Sequence, residues 1–354
     1  MSIASEITRL QNAKDSIKTA IENKGVTVGS GTLDTYANKI NDIPTGSGEW
    51  KPQPDWWDID TILDEDTENY PGKVIVLTTD TYPSEWINTN MYTTRCAKIK
   101  TSDGVEYDVT NQGGFTHNWD ITKDKPCSLG YKTRYFIMYY DTTDFDMKRP
   151  GTNAMWQALY IVCKGINLIA STEGVNHISS MSLLECIKFI DGAWTPQCLS
   201  LDKTYSLRKI IGLNTSQITN LTYFSDNYGL CSYKNFWDDY QIDTKNITNF
   251  NKAFSNTTFT YIPSLDFNSA TNVSNVFGGN TLITINEVKN IKISGINLSG
   301  PQKLNHDTLI RFLNALYDYS DSSDSYTITF GSENLKKLTD EEKAIATSKG
   351  WTLN

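Results

Sequence analysis

An apolar triplet at i, i+3 and i+6 returns five times between Leu184 and Val288. The copies are Leu184/Ile187/Ile190, Leu207/Ile210/Leu213, Leu230/Tyr233/Phe236, Phe259/Ile262/Leu265 and Leu282/Ile285/Val288, with starts 23, 23, 29 and 23 residues apart. Thr219-Asn220-Leu221, Thr248-Asn249-Phe250 and Thr271-Asn272-Val273 keep the same time, stepping by 29 and 23, and each is followed by an aromatic, Phe224, Phe254 or Phe277. Two markers with one period predict stacked copies, each too small to bury its apolar face alone. The triplet spacing also suits a short helix. Pro263, Gly212 and the β-branched pair Ile210-Ile211 favour extended chain. Asn220, Asn249 and Asn272 are then expected to form a ladder whose amides satisfy backbone groups at the turn of each copy.

The third copy is out of phase. From triplet to Thr-Asn start it spans 18 residues where its neighbours span 12, so residues are inserted near Trp237-Asp238-Asp239-Tyr240-Gln241-Ile242. Insertions of this kind become loops on one face, often the binding face, which makes Trp237, Asp238, Asp239 and Tyr240 candidate partner-binding residues. The same loop can equally fold back to plug the core.

At the start of the chain, Ile3, Ile7, Leu10, Lys14, Ile17 and Ile21 alternate steps of four and three, the pattern of a heptad seam, and Gly25 is placed to stop the helix. So short a helix is marginal in water unless its stripe is covered. Self-association covers it, and Ile at both seam positions favours more than two strands, most simply a homotrimer with Lys14 restricting register. Packing on a second helix, through Leu33, Tyr36, Ala37 and Ile40, covers it as well.

Pro44-Thr45-Gly46-Ser47-Gly48 reads as a joint. After it, Val74 to Leu77, Ala97 to Lys100, Val105 to Val109 and Tyr135 to Tyr140 are β-branched or aromatic runs separated by turn signals, predicting an antiparallel sandwich or small sheet. Carboxylates between Asp58 and Glu68 and at Asp141, Asp144 and Asp146 lack the order of a calcium-binding loop and read as solvated acidic loops. Near the C-terminus, Asn305 is placed to cap a helix bearing Leu309, Phe312, Leu313 and Leu316; Tyr326 to Phe330 reads as a strand; Thr339 and Glu342 form a capping box, and Gly350 ends the last helix. The predicted fold is multidomain α+β: a helical attachment segment over 1–46, an antiparallel β domain over 50–165, a repeat solenoid over 166–298 and an α/β cap over 299–354.

The repeats resemble a known family. Residues 207–224, LRKIIGLNTSQITNLTYF, and 259–277, FTYIPSLDFNSATNVSNVF, are similar to BspA-like leucine-rich repeats. The copies lack the usual Met at the Thr-Asn sites, the third is interrupted, and the first lacks the Thr-Asn element. The opening SEITRLQNAKDSIKTAIENKGVTV, the segments EWKPQPDWWDID and KDKPCSLGYKTRYFIMYY, and above all the ending LTDEEKAIATSKGWTLN resemble appendage proteins of crAss-like and other Bacteroidales phages. That resemblance implies a head or tail fibre-like virion component, joined to other virion proteins through its N-terminus and presenting its repeats to a host cell-surface glycan or protein.

A net charge of −9 without a basic cluster argues against nucleic acid as a partner. Met1 to Leu10 has no apolar signal region and no run is long enough to span a bilayer, so the expected place of synthesis is a cytoplasm, and the phage resemblance implies a bacterial host cytoplasm and a final location in the virion. Cys96, Cys127, Cys163, Cys186, Cys198 and Cys231 show no C-x-x-C spacing and read as reduced filler, with no metal site. The N-x-[ST] sequons, such as Asn214 and Asn297, read as by-products of Asn/Thr-rich repeats. Nucleophile, metalloprotease and phosphate-loop motifs are missing, so the expected protein is not an enzyme and carries no cofactor. The competing readings are a bacterial surface adhesin, a virion connector that binds no receptor, and a glycan depolymerase acting through Asp58 to Glu68 or through Asp238 and Asp239.

Overall fold

The computed structural model describes residues 50–80, 84–87, 90–91, 94–110, 115–146, 157–169, 181–226, 229–230, 233, 236–279 and 281–354, with positions 7, 11, 14, 15, 17 and 18. The chain divides into two compact units, 1–51 and 52–354. In the first, the described positions are helical, and Gln11 Nε2 donates to Asp15 Oδ1 one turn on, at 3.1 Å. Ile7 and Ile17 are exposed and Lys14 is half-buried, while Ile3, Leu10 and Ile21 lie outside the described residues, as does the joint at 44–48.

The second unit is mixed α+β, built on an eight-stranded sheet. Its strands are β1 (Gly72–Thr79), β2 (Lys98–Thr101), β3 (Glu106–Asp108), β4 (Lys125–Pro126), β5 (Lys132–Tyr140), β6 (Ala158–Lys164), β7 (Cys186–Ile190) and β8 (Lys209–Ile211). They run in the order β8-β7-β6-β1-β5-β2-β3, with β4 on β5. From β6 to β3 the pairing is antiparallel, whereas β7 lies parallel to β6 and β8 parallel to β7. This corrects the expectation of a self-contained antiparallel sheet. Phe136, Val76, Ile161, Ile187 and Ile210 sit in register as one row of buried apolar side chains, and the row crosses the boundary expected at 165/166. The outer edge at β3 carries exposed Glu106 and Asp108, which disfavour pairing with another chain.

Beyond β8 the copies continue to pair in parallel. Strands β9 (Tyr261–Ile262) and β10 (Leu265–Asp266) receive β11 (Thr284–Ile285) and β12 (Val288–Lys289), in each case 23 residues on. At the opposite corner, single parallel bridges join Cys198 to Asn220, Asn220 to Asn249 and Asn249 to Asn272. Leu221 N donates to Asn249 O at 2.9 Å and Phe250 N to Asn272 O at 2.8 Å, so main-chain bonds link one copy to the next. Every triplet residue is buried except Ile190, which is half-buried. Phe224, Phe254, Phe277 and Phe312 follow one another with ring centroids 5.9 Å apart, an aromatic line through the core. Extended chain therefore holds for four triplets, and the third departs from it.

Three features were hidden in the sequence. Residues expected to begin a β region form helix α1 (Ile59–Glu65), N-capped by Asp58, whose Oδ1 accepts from Thr61 N at 3.1 Å. Ile59 and Leu63, four apart, bury one stripe of it, which is the signal that went unread. Cys198 occupies the ladder place in the first copy, where no Thr-Asn stands. The third copy contributes helix α2 (Phe236–Asp239) instead of a strand beside β8.

The C-terminal elements form as the local signals direct. Asn305 Oδ1 accepts from Thr308 N at 2.9 Å and starts α3 (His306–Ala315), which buries Leu309, Phe312 and Leu313. After α4 (Ser332–Leu335), the capping box of Thr339 and Glu342 starts α5 (Asp340–Ser348). Strand β13 (Tyr326–Ile328) pairs in parallel with β14 (Trp351–Leu353). Gly350 turns the chain with φ +78°, and a Cβ there would lie 2.5 Å from Tyr319 O, so both conformation and space require glycine.

Candidate interaction surface

The carboxylates from Asp58 to Glu68 are not a free acidic loop. Asp60 accepts from Tyr160 Oη at 3.1 Å and pairs with Lys188 at 2.9 Å; Asp64 pairs with Lys164 at 3.0 Å; Asp66 pairs with Lys73 at 2.6 Å and accepts from Tyr139 Oη at 2.9 Å. Glu68 meets Lys98 and Lys100, each at 2.8 Å. Bonds from Lys100 and Lys98 hold the Glu68 carboxyl down at about 2. Register places these lysines on one side of the sheet, so α1 and the segment after it are fastened to that face by charge. A glycosidase needs one carboxyl held protonated near neutral pH, which a lysine-paired group is not. Asp141 is exposed, and the side chains of Asp144 and Asp146 lie outside the described residues.

A second polar cluster is buried under β2 and β3. His117 Nε2 lies 3.0 Å from Asp103 Oδ2 and Nδ1 lies 2.7 Å from Tyr107 Oη. An ionised carboxylate only accepts, so the neutral ring carries its proton on Nε2 and takes the Tyr107 hydroxyl at Nδ1. Burial lowers the His117 pKa, against the opposing pull of Asp103. The sign follows from linkage. Below about 6.5 the unfolded chain takes up a proton here that the folded chain declines, so folding stability is expected to fall as pH drops through that value. Urea titrations at pH 7.5 and 5.5 check this; in His117→Gln the difference between the two should shrink, and an unchanged difference would place the sensitivity elsewhere.

In the insertion, Trp237 packs on Phe224, Phe236, Phe254 and Phe259 with centroid distances of 5.9, 5.2, 6.5 and 5.5 Å. Tyr240 Oη donates to Ile210 O, and Tyr233 Oη accepts from Ile210 N at 3.3 Å. Two hydroxyls thus satisfy the main-chain groups that β8 would otherwise offer to a ninth strand. Asp239 accepts from Tyr233 Oη and pairs with Lys209, both at 2.7 Å. Asp238 is exposed. Trp237 and Tyr240 are engaged inward as a plug that ends the sheet, while Asp239, exposed, is held to Tyr233 and Lys209 at its rim.

The three asparagines stand in line through parallel bridges, and their amides satisfy backbone groups at the turn of each copy. Oδ1 of Asn220, Asn249 and Asn272 accepts from the main-chain N–H two residues on, at Thr222, Asn251 and Ser274, over 2.9, 2.9 and 3.0 Å. Each amide shapes the turn of its own copy, and the contact between copies runs through main chain. Asn249→Ala is expected to cost about 1 kcal/mol, the worth of one such bond, and Asn249→Asp should retain most of it; denaturant unfolding of the two variants checks this.

Another surface was not anticipated. The turn from β11 to β12 and the C-terminal end of α3 enclose an open groove of about 560 Å³, lined by Asn286, Glu287, Asn290, Arg311, Asn314 and Tyr317 among others. Arg311 Nη1 donates to Ile285 O at 3.0 Å, and Tyr317 is 50% exposed. These residues fall in two short runs, 286–290 and 311–318, whose polar positions carry no shared motif.

Cys96, Cys163, Cys186 and Cys198 are buried and unbridged, and burial pushes Cys96 and Cys163 up to about 12; Cys231 lies outside the described residues. Among the described residues no group of three His, Cys, Asp or Glu could hold a metal ion, and no helix is long and apolar enough to cross a membrane. No family model, curated protein or solved structure matches this chain.

Proposed function

We propose that this chain is a non-enzymatic structural component of a phage virion, a head or tail fibre-like appendage whose repeat surface adheres to host cells. In this reading residues 166–298 are a BspA-like leucine-rich-repeat solenoid, 299–354 cap it, and the heptad seam from Ile3 to Ile21 mounts it as a homotrimer on other virion proteins. The observation that carries the reading is the parallel pairing of copies 23 residues apart, at Tyr261/Thr284 and Leu265/Val288, continuous in pattern with Cys186/Lys209. A quasi-one-dimensional stack of this kind displays a long surface for its mass. Three copies on one stalk would strengthen weak contacts by avidity, which suits reversible adsorption to a cell-surface glycan or protein. The commitment of Asp60, Asp64, Asp66, Glu68 and Asp239 to lysines favours adhesion over glycan depolymerisation.

The test is sedimentation of labelled full-length protein with a panel of Bacteroidales cells, alongside chain-length analysis of their capsular polysaccharide. Saturable binding with polysaccharide left intact is expected. Shortened polysaccharide would replace the reading with the depolymerase, and absence of binding to every strain would favour a connector.

A further inference from the structure

Resting on the adhesive reading, we infer that the groove between the β11–β12 turn and the end of α3 is a subsite for a carboxylate-bearing saccharide. The case begins with which polar groups are already committed. Glu287 is engaged by Lys289 at 2.7 Å and Ser264 at 2.9 Å, and these bonds lower its pKa. Asp318 accepts from Ser320 N at 3.0 Å, and that bond likewise holds its pKa down. Asn286 Nδ2 donates to Tyr261 Oη at 3.0 Å, and Asn290 Nδ2 to Asp266 Oδ1 at 2.9 Å. These contacts fix the rim.

Arg311 is what they leave over. It stands one turn before the end of α3, its stem is half-buried, and the Ile285 carbonyl anchors one nitrogen at 3.0 Å. It has no ion pair with any described residue. A guanidinium fixed by one bond keeps its remaining N–H groups as a planar fork, whose natural complement is a carboxylate. Lys292 Nζ, held by Asn268 Oδ1 at 2.9 Å, lies 5.8 Å from the centroid of Tyr317. Of the charges lining the groove, Glu287 is answered by Lys289 and Asp318 by a main-chain N–H with Lys349 nearby, which leaves the Arg311 fork as the cation without a carboxylate partner.

Tyr317 supplies the other half of the subsite. Its main chain is pinned on both sides, its N–H donating to Ile291 O at 2.9 Å and its C=O accepting from Trp351 Nε1 at 2.8 Å. The ring is half exposed and packs on Tyr319, with centroids 4.8 Å apart. A rigid aromatic with an apolar face and a polar tip can stack on the C–H face of a pyranose at small entropic cost. The exposed Asn314 amide and the Asn290 carbonyl oxygen stand ready for ring hydroxyls. A neutral sugar would leave the Arg311 fork unanswered, and a phosphate would make no use of the Tyr317 face. An acidic saccharide uses both.

Titration calorimetry of the full-length protein with tetragalacturonate, and with its fully methyl-esterified counterpart as the uncharged match, tests the inference. Binding of tetragalacturonate is expected, weakened at least about tenfold by esterification, by Arg311→Gln and by Tyr317→Ala, with Arg311→Lys in between. Thermal melts matching the parent would show that the variants remain folded. Equal affinity for acid and ester, no binding at millimolar ligand, or parent affinity in folded Arg311→Gln would each overturn the subsite. Cell binding that persists in Arg311→Gln alongside failure with the oligosaccharide would overturn the subsite and leave the adhesive reading standing; loss of all cell binding by the parent would remove that reading itself.

Discussion

Phe224→Ala is expected to lower the unfolding free energy of residues 52–354 by about 3–5 kcal/mol, the range for emptying a fully buried aromatic site. Phe224 is completely buried, and its ring meets Phe236, Trp237, Phe254 and Phe259. It joins the aromatic line of the Thr-Asn corner to the plug. Removing it leaves a void bounded by large planar rings on fixed backbone, which cannot collapse easily. Phe224→Leu keeps most of the volume and should cost roughly a third to a half as much. Urea unfolding by circular dichroism reads both. A Phe224→Ala cost under about 1 kcal/mol, the level of an ordinary surface change, would mean that plug and copies do not share a core.

The other large effect is electrostatic. Arg134 is fully buried on β5; its Nη2 donates to buried Asp124 Oδ2 at 2.8 Å, and the guanidinium lies 4.9 Å from the centroid of Trp119. Burial raises the Asp124 pKa even against the Arg134 charge. The pair therefore carries a desolvation cost that its mutual attraction only partly offsets. Removing one member is far worse than removing both, since the remaining charge is left in a site that water cannot reach. Asp124→Ala is expected to cost about 3–5 kcal/mol, and the double change Asp124→Leu with Arg134→Met to recover part of that loss. The same urea titrations decide it, and a double variant worse than the sum of its single changes would contradict the reasoning.

What the sequence made legible was local or periodic. The triplets, the aromatics after each Thr-Asn element and the cap residues Asn305, Thr339, Glu342 and Gly350 act within a few residues or repeat at a fixed step, and the structure puts each of them to the use their pattern implies. The rest depended on contacts distant in sequence. Nothing local says that Ile161 will accept Ile187 as a parallel neighbour while Val76 occupies its other side. The acidic run reads as a solvated loop because its lysine partners, from Lys73 to Lys188, are scattered over more than a hundred residues of sheet. Ile59 and Leu63 did signal a helix, but over too few residues to stand out. At the insertion, composition gave two aromatics and two carboxylates and left their direction open; the hydroxyls of Tyr233 and Tyr240 on Ile210 supply it. The groove at Arg311 joins the β11–β12 turn to the end of α3, so no motif scan could assemble it.

The insertion now has a structural use. A parallel ladder that continued past β8 would place a strand where α2 stands. Instead two tyrosine hydroxyls end the ladder, and pairing resumes at β9 and β11. On the proposed adhesive reading, Trp237→Ala and Tyr240→Ala would therefore lower cell binding only through lost folding, and substitution at exposed Asp238 tests direct contact more cleanly.

The central claim is that an oligomeric stalk mounts the repeat array, and solution mass tests it most directly. Light scattering on a sizing column should give three times the 39.9 kDa chain mass for the full-length protein and a folded monomer for residues 47–354. A monomer in both cases would contradict the claim, leaving the stripe from Ile3 to Ile21 to pack within its own chain or to meet a different protein.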